Sequence, residues 1–349
     1  MIGERLKRAR AAAGLSMDKL GKAAGVSANM IKKYEHNESM PSSSVLIALC
    51  DALDVRTEYF FRPNNIQLSS VEYRKKASIS KKVLNKLKAD VLDQAERWFE
   101  LRNLWPRFPV PDFSKPQNLP LVQSMKDVEA IALAVREAWQ LGVNPIADLI
   151  DLLESKGILV IVTDSEHADQ FDGLQATVEG IPVIVTSNQW PGCRQRFTLA
   201  HELGHLMLGG LLPDSLDEEQ ACNRFAGAFL LPEQGVFNTI GYQRHLIEWK
   251  ELYLLKHEYG LSMQAILYRC KDLAVISESK CKTMFMEFSQ KRWRTQEPGS
   301  PYPGEHTQFF EQLVYRGAGE GILSDSKAAE LLAISAREFR QSRMMAEAS

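Results

Sequence analysis

Five prolines, Pro106, Pro109, Pro111, Pro116 and Pro120, fall within fifteen residues. Proline locks φ and offers no N–H, so neither a helix nor a central strand can run through that stretch. It predicts an extended connector, with separate bodies folding on either side. The length of 349 residues points the same way, because a domain usually takes roughly 100 to 200 residues. The expected organisation is a body over 1–62, a linker with one helix and the proline-rich connector over 63–125, a body over 126–290, and a helical region over 291–349.

Bulk properties exclude several classes. No apolar run approaches the roughly 18 residues that a membrane span requires, so no membrane partner is expected. The first fifteen residues alternate charge with Ala and Leu, unlike a secretion signal. Cys50, Cys193, Cys222, Cys270 and Cys281 are odd in number and form no C-x-x-C pair. That argues against a disulfide framework or a zinc ribbon, and the expected location is the cytoplasm.

From Ile2 to Ala13, the apolar Ile2, Leu6, Ala9 and Ala13 recur every three or four residues, with Arg5, Lys7, Arg8 and Arg10 on the other faces. This predicts an amphipathic basic helix. Gly14 suits a left-handed C-cap, and Ser16 caps a second helix reaching about Ala24. Gly25 makes a tight turn. Ser27 then caps a third helix, Ala28 to His36, with Asn29, Lys32 and Lys33 outward and Ile31 and Tyr34 turned in. Ser43 to Leu53 adds another helix, and a five-helix domain closes near Phe61. Residues 1–79 hold thirteen Lys and Arg against eight Asp and Glu, which suits an acidic polymer.

In Leu15-Ser16, Leu20, Ala24, Gly25-Val26-Ser27, Ile31, Tyr34-Glu35 and Pro41 this run resembles the Cro/cI-type (XRE family) helix-turn-helix. The resemblance implies transcription regulation through a double-stranded DNA operator. The helix from Ser27 would lie in the major groove, with Ser27, Asn29, Lys32 and Lys33 as candidate contacts. Readers of this type commonly bind two half-sites as a homodimer, and a homodimer is the expectation here. The plainer alternative is a small helical bundle that docks protein, against which stands the basic excess.

Beyond Arg74-Lys75-Lys76, Lys81 to Leu104 has helical periodicity. Val128 to Leu141 and Ile146 to Leu153 read as helices, the second entered through Asn144-Pro145. The β-branched run 158–162, then 173–178 and 181–186 around Gly180, predicts a three-stranded sheet with a hairpin.

From Arg194 to Leu208 the pattern is helical, and His201 and His205 stand four apart on one face. Two imidazoles from adjacent turns can hold one tetrahedral Zn2+. Glu202 lies about 100° around the helix. It would miss the metal but reach a polarised water, taking its proton and passing it to a leaving amine. That is the chemistry of H-E-x-x-H peptidases; the plainer reading is two histidines satisfied on a half-buried helix. A third ligand is expected downstream, where Glu219 and Asn223 share a helical face. The carboxylate can bind metal while the amide steadies a ligand, and Glu218 is the register alternative.

Arg196 to His205, with Glu219 to Pro232, closely resembles the ImmA/IrrE metallopeptidase family over roughly residues 126 to 290. The resemblance implies a zincin-like, gluzincin-type arrangement: His201, His205 and Glu219 on zinc, Glu202 as base, and a repressor as protein substrate. Cys222 stands where relatives often have alanine; its thiolate could serve as a ligand, but three residues from Glu219 on a helix it reads as a packing residue. The oxyanion-stabilising group stays open among Tyr242, His245 and nearby arginines.

Further on, 263–272, 277–293, 309–319 and 324–340 read as helices, and Lys327 to Ser335 resembles the first half of another helix-turn-helix. A helical cap on the peptidase is the favoured reading of that end. The fold class expected is therefore α+β: an all-α helix-turn-helix domain, a helical and proline-rich linker, a zincin-like metallopeptidase domain and a helical C-terminal region. Two functions compete. One is a regulator whose hydrolase domain cleaves a repressor or antitoxin-like protein, or the chain itself. The other is a non-catalytic transcription factor, or a toxin-antitoxin partner, whose zincin fold senses a metal or ligand or binds a toxin.

Overall fold

The computed structural model describes residues 2–62, 68–72, 81–163 and 173–345, and the basic run Arg74-Lys75-Lys76 lies outside them. In chain order the elements are α1 (Ile2–Ala12), α2 (Met17–Ala23), α3 (Ala28–Glu35), α4 (Ser43–Leu53), α5 (Thr57–Phe61), β1 (Leu68–Glu72), α6 (Lys81–Leu104), α7 (Met125–Ala138) and α8 (Leu149–Ser155). There follow β2 (Leu159–Thr163), β3 (Leu174–Val178), β4 (Ile181–Ser187), α9 (Gly192–Leu208), α10 (Glu218–Leu230), α11 (Glu233–Thr239) and α12 (Trp249–Tyr259). The last are α13 (Met263–Asp272), α14 (Glu278–Gln290), α15 (Phe309–Gly319), α16 (Asp325–Leu331) and α17 (Ala336–Arg343). The fold is α+β, with a sheet of order β1-β3-β4-β2. The expected hairpin is β3–β4. The sheet gains β1, from a stretch that reads as polar linker because Leu68-Ser69-Ser70-Val71-Glu72 offers only two apolar residues. No described helix is long and apolar enough to cross a membrane.

Two compact units divide the chain. One comprises Met1–Pro111, Ala176–Val183 and Gln308–Ser349; the other comprises Asp112–Gln175 and Ile184–Thr307. The proline-rich connector contains the first boundary. α6 and α15 to α17 share a unit with α1 to α5, whereas the linear reading made them a linker and a separate C-terminal region.

In the first unit, Leu6, Leu20, Ile31, Leu49 and Phe60 form the core of the N-terminal bundle. Ser16, Ser27 and Ser42 cap their helices by accepting from the backbone N–H three residues on, each cap contributing about 1 kcal/mol. Gly21 is required where the helices cross, since a Cβ there would stand 2.7 Å from the Val26 carbonyl oxygen. Arg5 and Arg8 pair with Glu96 of α6 at 2.9 and 2.7 Å. A second core joins Leu101 and Trp105 to Leu313, Val314, Ala328 and Phe339. The C-terminal helices thus pack on α6, a correction to the cap expected on the peptidase. The helix expected over 324–340 is also two helices, because Ala333 takes φ 58° and breaks it.

In the second unit, one apolar core runs through α7 to α14 and includes Ile131, Leu199, Leu203, Phe225, Phe229 and Leu267. α8 begins at Asp148, whose side chain accepts from Asp151 N, rather than at Asn144-Pro145. Asp caps directly; the Asn144 carbonyl is occupied instead by Arg136 at 2.6 Å. Arg136 is fully buried and also donates to the Gly142 and Phe229 carbonyls. Burial lowers its pKa to about 10, so it stays charged at neutral pH and the carbonyls hold that charge.

Candidate active site

The site is built on α9, which is held before it reaches the histidines. Gly192 opens the helix, and a Cβ there would lie 1.7 Å from the Pro303 carbonyl oxygen, so only glycine lets the chain cross at that point. One turn later Gln195 donates to the Ser187 carbonyl and accepts from Glu305 N, both at 2.8 Å. The buried Arg196 donates to Glu305 at 2.5 Å and to the Ile146 carbonyl at 2.6 Å. The second carboxylate oxygen of Glu305 accepts from Leu149 N at 2.6 Å, at the start of α8, where a negative charge suits the first-turn N–H groups. Glu305 lies beyond the 290 boundary drawn from the sequence.

α10 packs along α9 at a point where Gly204 permits close approach. A Cβ on Gly204 would sit 3.2 Å from Cys222 Cα and 3.2 Å from Phe225 Cδ1. The other side of α10 is held by Arg224, which pairs with Glu129 and Asp272 at 2.5 and 2.9 Å. Arg269 also pairs with Glu129, at 2.5 Å.

These contacts bring together the residues singled out by spacing. His201 Nε2 and His205 Nε2 lie 3.1 Å apart. Glu219 places one carboxylate oxygen 3.3 Å from His201 Nε2 and the other 3.6 Å from His205 Nε2. A tetrahedral zinc with Zn–N bonds of about 2.05 Å separates two ligand nitrogens by about 3.3 Å, so the donor set fits one such ion. Asn223 Oδ1 lies 3.0 Å from His201 Nδ1, and Glu218 Oε1 lies 3.0 Å from His205 Nδ1. Each acceptor favours the tautomer with the proton on Nδ1, leaving the Nε2 lone pair for a metal. Glu218, the register alternative, therefore faces the far side of His205.

Cys222 packs in the core as expected, and its Sγ also lies 2.9 Å from His205 Nδ1. His205, Glu218 and Cys222 form a second cluster with metal-binding atoms. It contains one imidazole where the Nε2 set contains two, and the Nε2 set is the better fit for zinc. That contact comes from the facing helix, which spacing along one helix does not reveal. Removing an orienting group of this kind typically costs 10–100-fold in metal affinity. Asn223→Ala is accordingly expected to weaken zinc binding about 10–100-fold, read by competition with a chromophoric chelator. Unchanged affinity would show that Asn223 does not orient His201.

Glu202 is buried at 4% exposure. Gly173 lies against it: a Cβ there would meet Thr198 Cγ2 at 2.5 Å and Glu202 Oε1 at 3.0 Å. A cavity of about 980 Å³ is lined by Phe197, one turn before His201, and by Asn223, Arg224, Tyr268, Arg269 and Trp293. Of the open oxyanion candidates, Tyr242 is 69% exposed and stacks on Phe237, with ring centroids 4.4 Å apart. His245 lines a separate cavity with Arg244 and Lys271.

The candidate DNA-contact residues sit as a group. Ser27, Asn29, Lys32 and Lys33 are all exposed on or beside α3, while Ile31 and Tyr34 are buried.

No curated protein and no solved structure matched the chain. Two family models did. Residues 6–60 match the model described as helix-turn-helix, and residues 153–271 match the peptidase-family model described as IrrE N-terminal-like domain. The chain thus carries a segment similar to the helix-turn-helix family, followed in the sequence by a segment similar to the IrrE-like peptidase family.

Proposed function

We infer that this chain is a transcription regulator that binds an operator through α3 and hydrolyses a peptide bond through α9 and α10. The observation that carries the reading is the convergence of His201 Nε2, His205 Nε2 and the Glu219 carboxylate, with buried Glu202 beside it on α9. Metal binding alone needs no buried carboxylate next to the ligands, whereas hydrolysis needs a base there.

His201, His205 and Glu219 would hold zinc. When bound, zinc acts as a Lewis acid and lowers the pKa of a water to about 7. Glu202 then accepts a proton from the attacking water and returns it to the leaving amine. Asn223 and Glu218 fix the two rings so that both Nε2 atoms stay aimed at one point. The bare backbone at Gly173 leaves Glu202 its position. The cavity beside Phe197 and Asn223, with aromatic walls and the Arg224 and Arg269 cations, would receive substrate side chains flanking the cut. The substrate is a repressor or antitoxin-like protein, or the chain itself, and the compartment is the cytoplasm, where the five free, buried cysteines are at home.

The test is to incubate the zinc-loaded chain with proteins of the source cell and search by mass spectrometry for new chain ends, its own included. Specific new ends are expected. They disappear with a phenanthroline chelator and return with added zinc. Ends that form equally without metal would overturn the reading.

A further inference from the structure

The C-terminal helices repeat the geometry of α2 and α3 residue for residue. Ser324 caps α16 by accepting from Lys327 N at 3.2 Å, as Ser16 accepts from Lys19 N at 3.2 Å. Leu332 N bonds to the Ala328 carbonyl at 3.1 Å and Ile334 N to the Ala329 carbonyl at 3.0 Å. In the N-terminal domain, Ala24 N bonds to the Leu20 carbonyl at 2.9 Å and Val26 N to the Gly21 carbonyl at 2.8 Å. Ala333 takes φ 58° where Gly25 takes 69°. Ser335 then caps α17 as Ser27 caps α3.

Burial follows the same register. Ala328 and Phe339 are fully buried, as are Leu20 and Ile31 at the matching positions. Arg337, Arg340 and Gln341 stand where Asn29, Lys32 and Lys33 stand, and the two arginines are exposed. α17 carries Arg337, Arg340 and Arg343 against one acid, Glu338, and Glu338 is engaged as the capping-box partner of Ser335 N at 2.6 Å. Arg343 is held by Asp325 at 2.6 Å, which leaves Arg337 and Arg340 as the outward cations of the helix.

The two helix-turn-helix pairs belong to one compact unit. Arg62 donates to the Glu330 side chain at 3.0 Å and to its carbonyl at 3.1 Å. Lys327 pairs with Glu100 of α6.

We propose that α15 to α17 form a second helix-turn-helix that binds duplex DNA, with Arg337 and Arg340 of α17 as its phosphate or base contacts. One chain then carries two readers, a task that many proteins of this type meet by dimerising. The inference rests on no part of the peptidase reading. It shares with the proposed function only the class of ligand.

The experiment uses the full chain. Duplexes of about 40 base pairs are selected from a random pool by the wild type, a length covering half-sites several helical turns apart. The best duplex is then bound and footprinted from about 50 to about 200 mM salt. Arg337→Glu/Arg340→Glu is expected to weaken binding at least about tenfold, lower the slope of log affinity against log salt by about 2, and lose one protected segment. Lys32→Ala/Lys33→Ala is expected to lose the other segment. Thermal melting checks that each variant folds, and Arg337→Gln/Arg340→Gln replaces the charge reversal if it does not.

An arginine variant with wild-type affinity, slope and footprint overturns the proposal, whereas the lysine variant alone decides the N-terminal reader. Arginine variants that change only self-association in sedimentation overturn it in favour of a protein contact. A wild type that selects no duplex overturns both readers.

Discussion

Glu202→Gln is expected to keep zinc at one per chain while peptide-bond turnover falls about 10²- to 10⁴-fold, the usual contribution of a positioned base. The amide has nearly the shape of the carboxylate, so the packing around this buried position survives. What it cannot do is accept a proton. The candidate ligands His201, His205 and Glu219 are untouched, and Asn223 and Glu218, beside the two imidazoles, remain in place. Metal content and proteolysis are read on the same preparation, the first by elemental analysis and the second by new chain ends. A variant that holds zinc and cuts like the wild type would remove Glu202 from the chemistry. A wild type that holds zinc and never cuts would move the domain to the competing reading of a metal or ligand sensor.

The second large effect concerns stability. Glu305→Ala leaves Arg196 charged, fully buried and stripped of its carboxylate, a change that typically costs about 3–5 kcal/mol. It also removes the acceptor of Leu149 N. Urea unfolding of the full chain is expected to show that loss. The double change Arg196→Met/Glu305→Leu is expected to recover much of it, since replacing a whole buried pair by apolar groups is often neutral. If Glu305→Ala alone costs less than about 1 kcal/mol, within the range of an exposed pair, the Arg196–Glu305 pair does not hold α9.

Local patterns were legible in the sequence. Serine caps and positive-φ glycines marked α2 and α3, because caps and turns are written in neighbouring residues. The four-residue spacing of His201 and His205, and of Glu219 and Asn223, placed the candidate ligands on two helix faces. What spacing could not supply was partners from distant segments. Arg196 and Glu305 are 109 residues apart, and Cys222 meets His205 only because Gly204 lets two helices close. The break in 324–340 was hidden because alanine, not glycine, takes the left-handed position, at a cost that alanine seldom accepts. β1 was hidden because a short edge strand needs little hydrophobic alternation.

The arrangement of the two units along the chain also sets an order of assembly. Residues 112–175 and 184–307 lie between the parts of the other unit, so during synthesis the second unit is fully made before α15 to α17 leave the ribosome. Until then Leu101 of α6 and Trp105 just beyond it lack the Phe339 cluster that packs on them, and a nascent chain would expose that apolar face. The N-terminal bundle, whose core draws on residues 2–60, is ready first, then the second unit, and the first unit is completed last. A chain stalled or cut short before residue 308 would therefore hold its candidate catalytic residues while leaving an adhesive, unfinished surface on α6, the kind of species that chaperones and proteases remove.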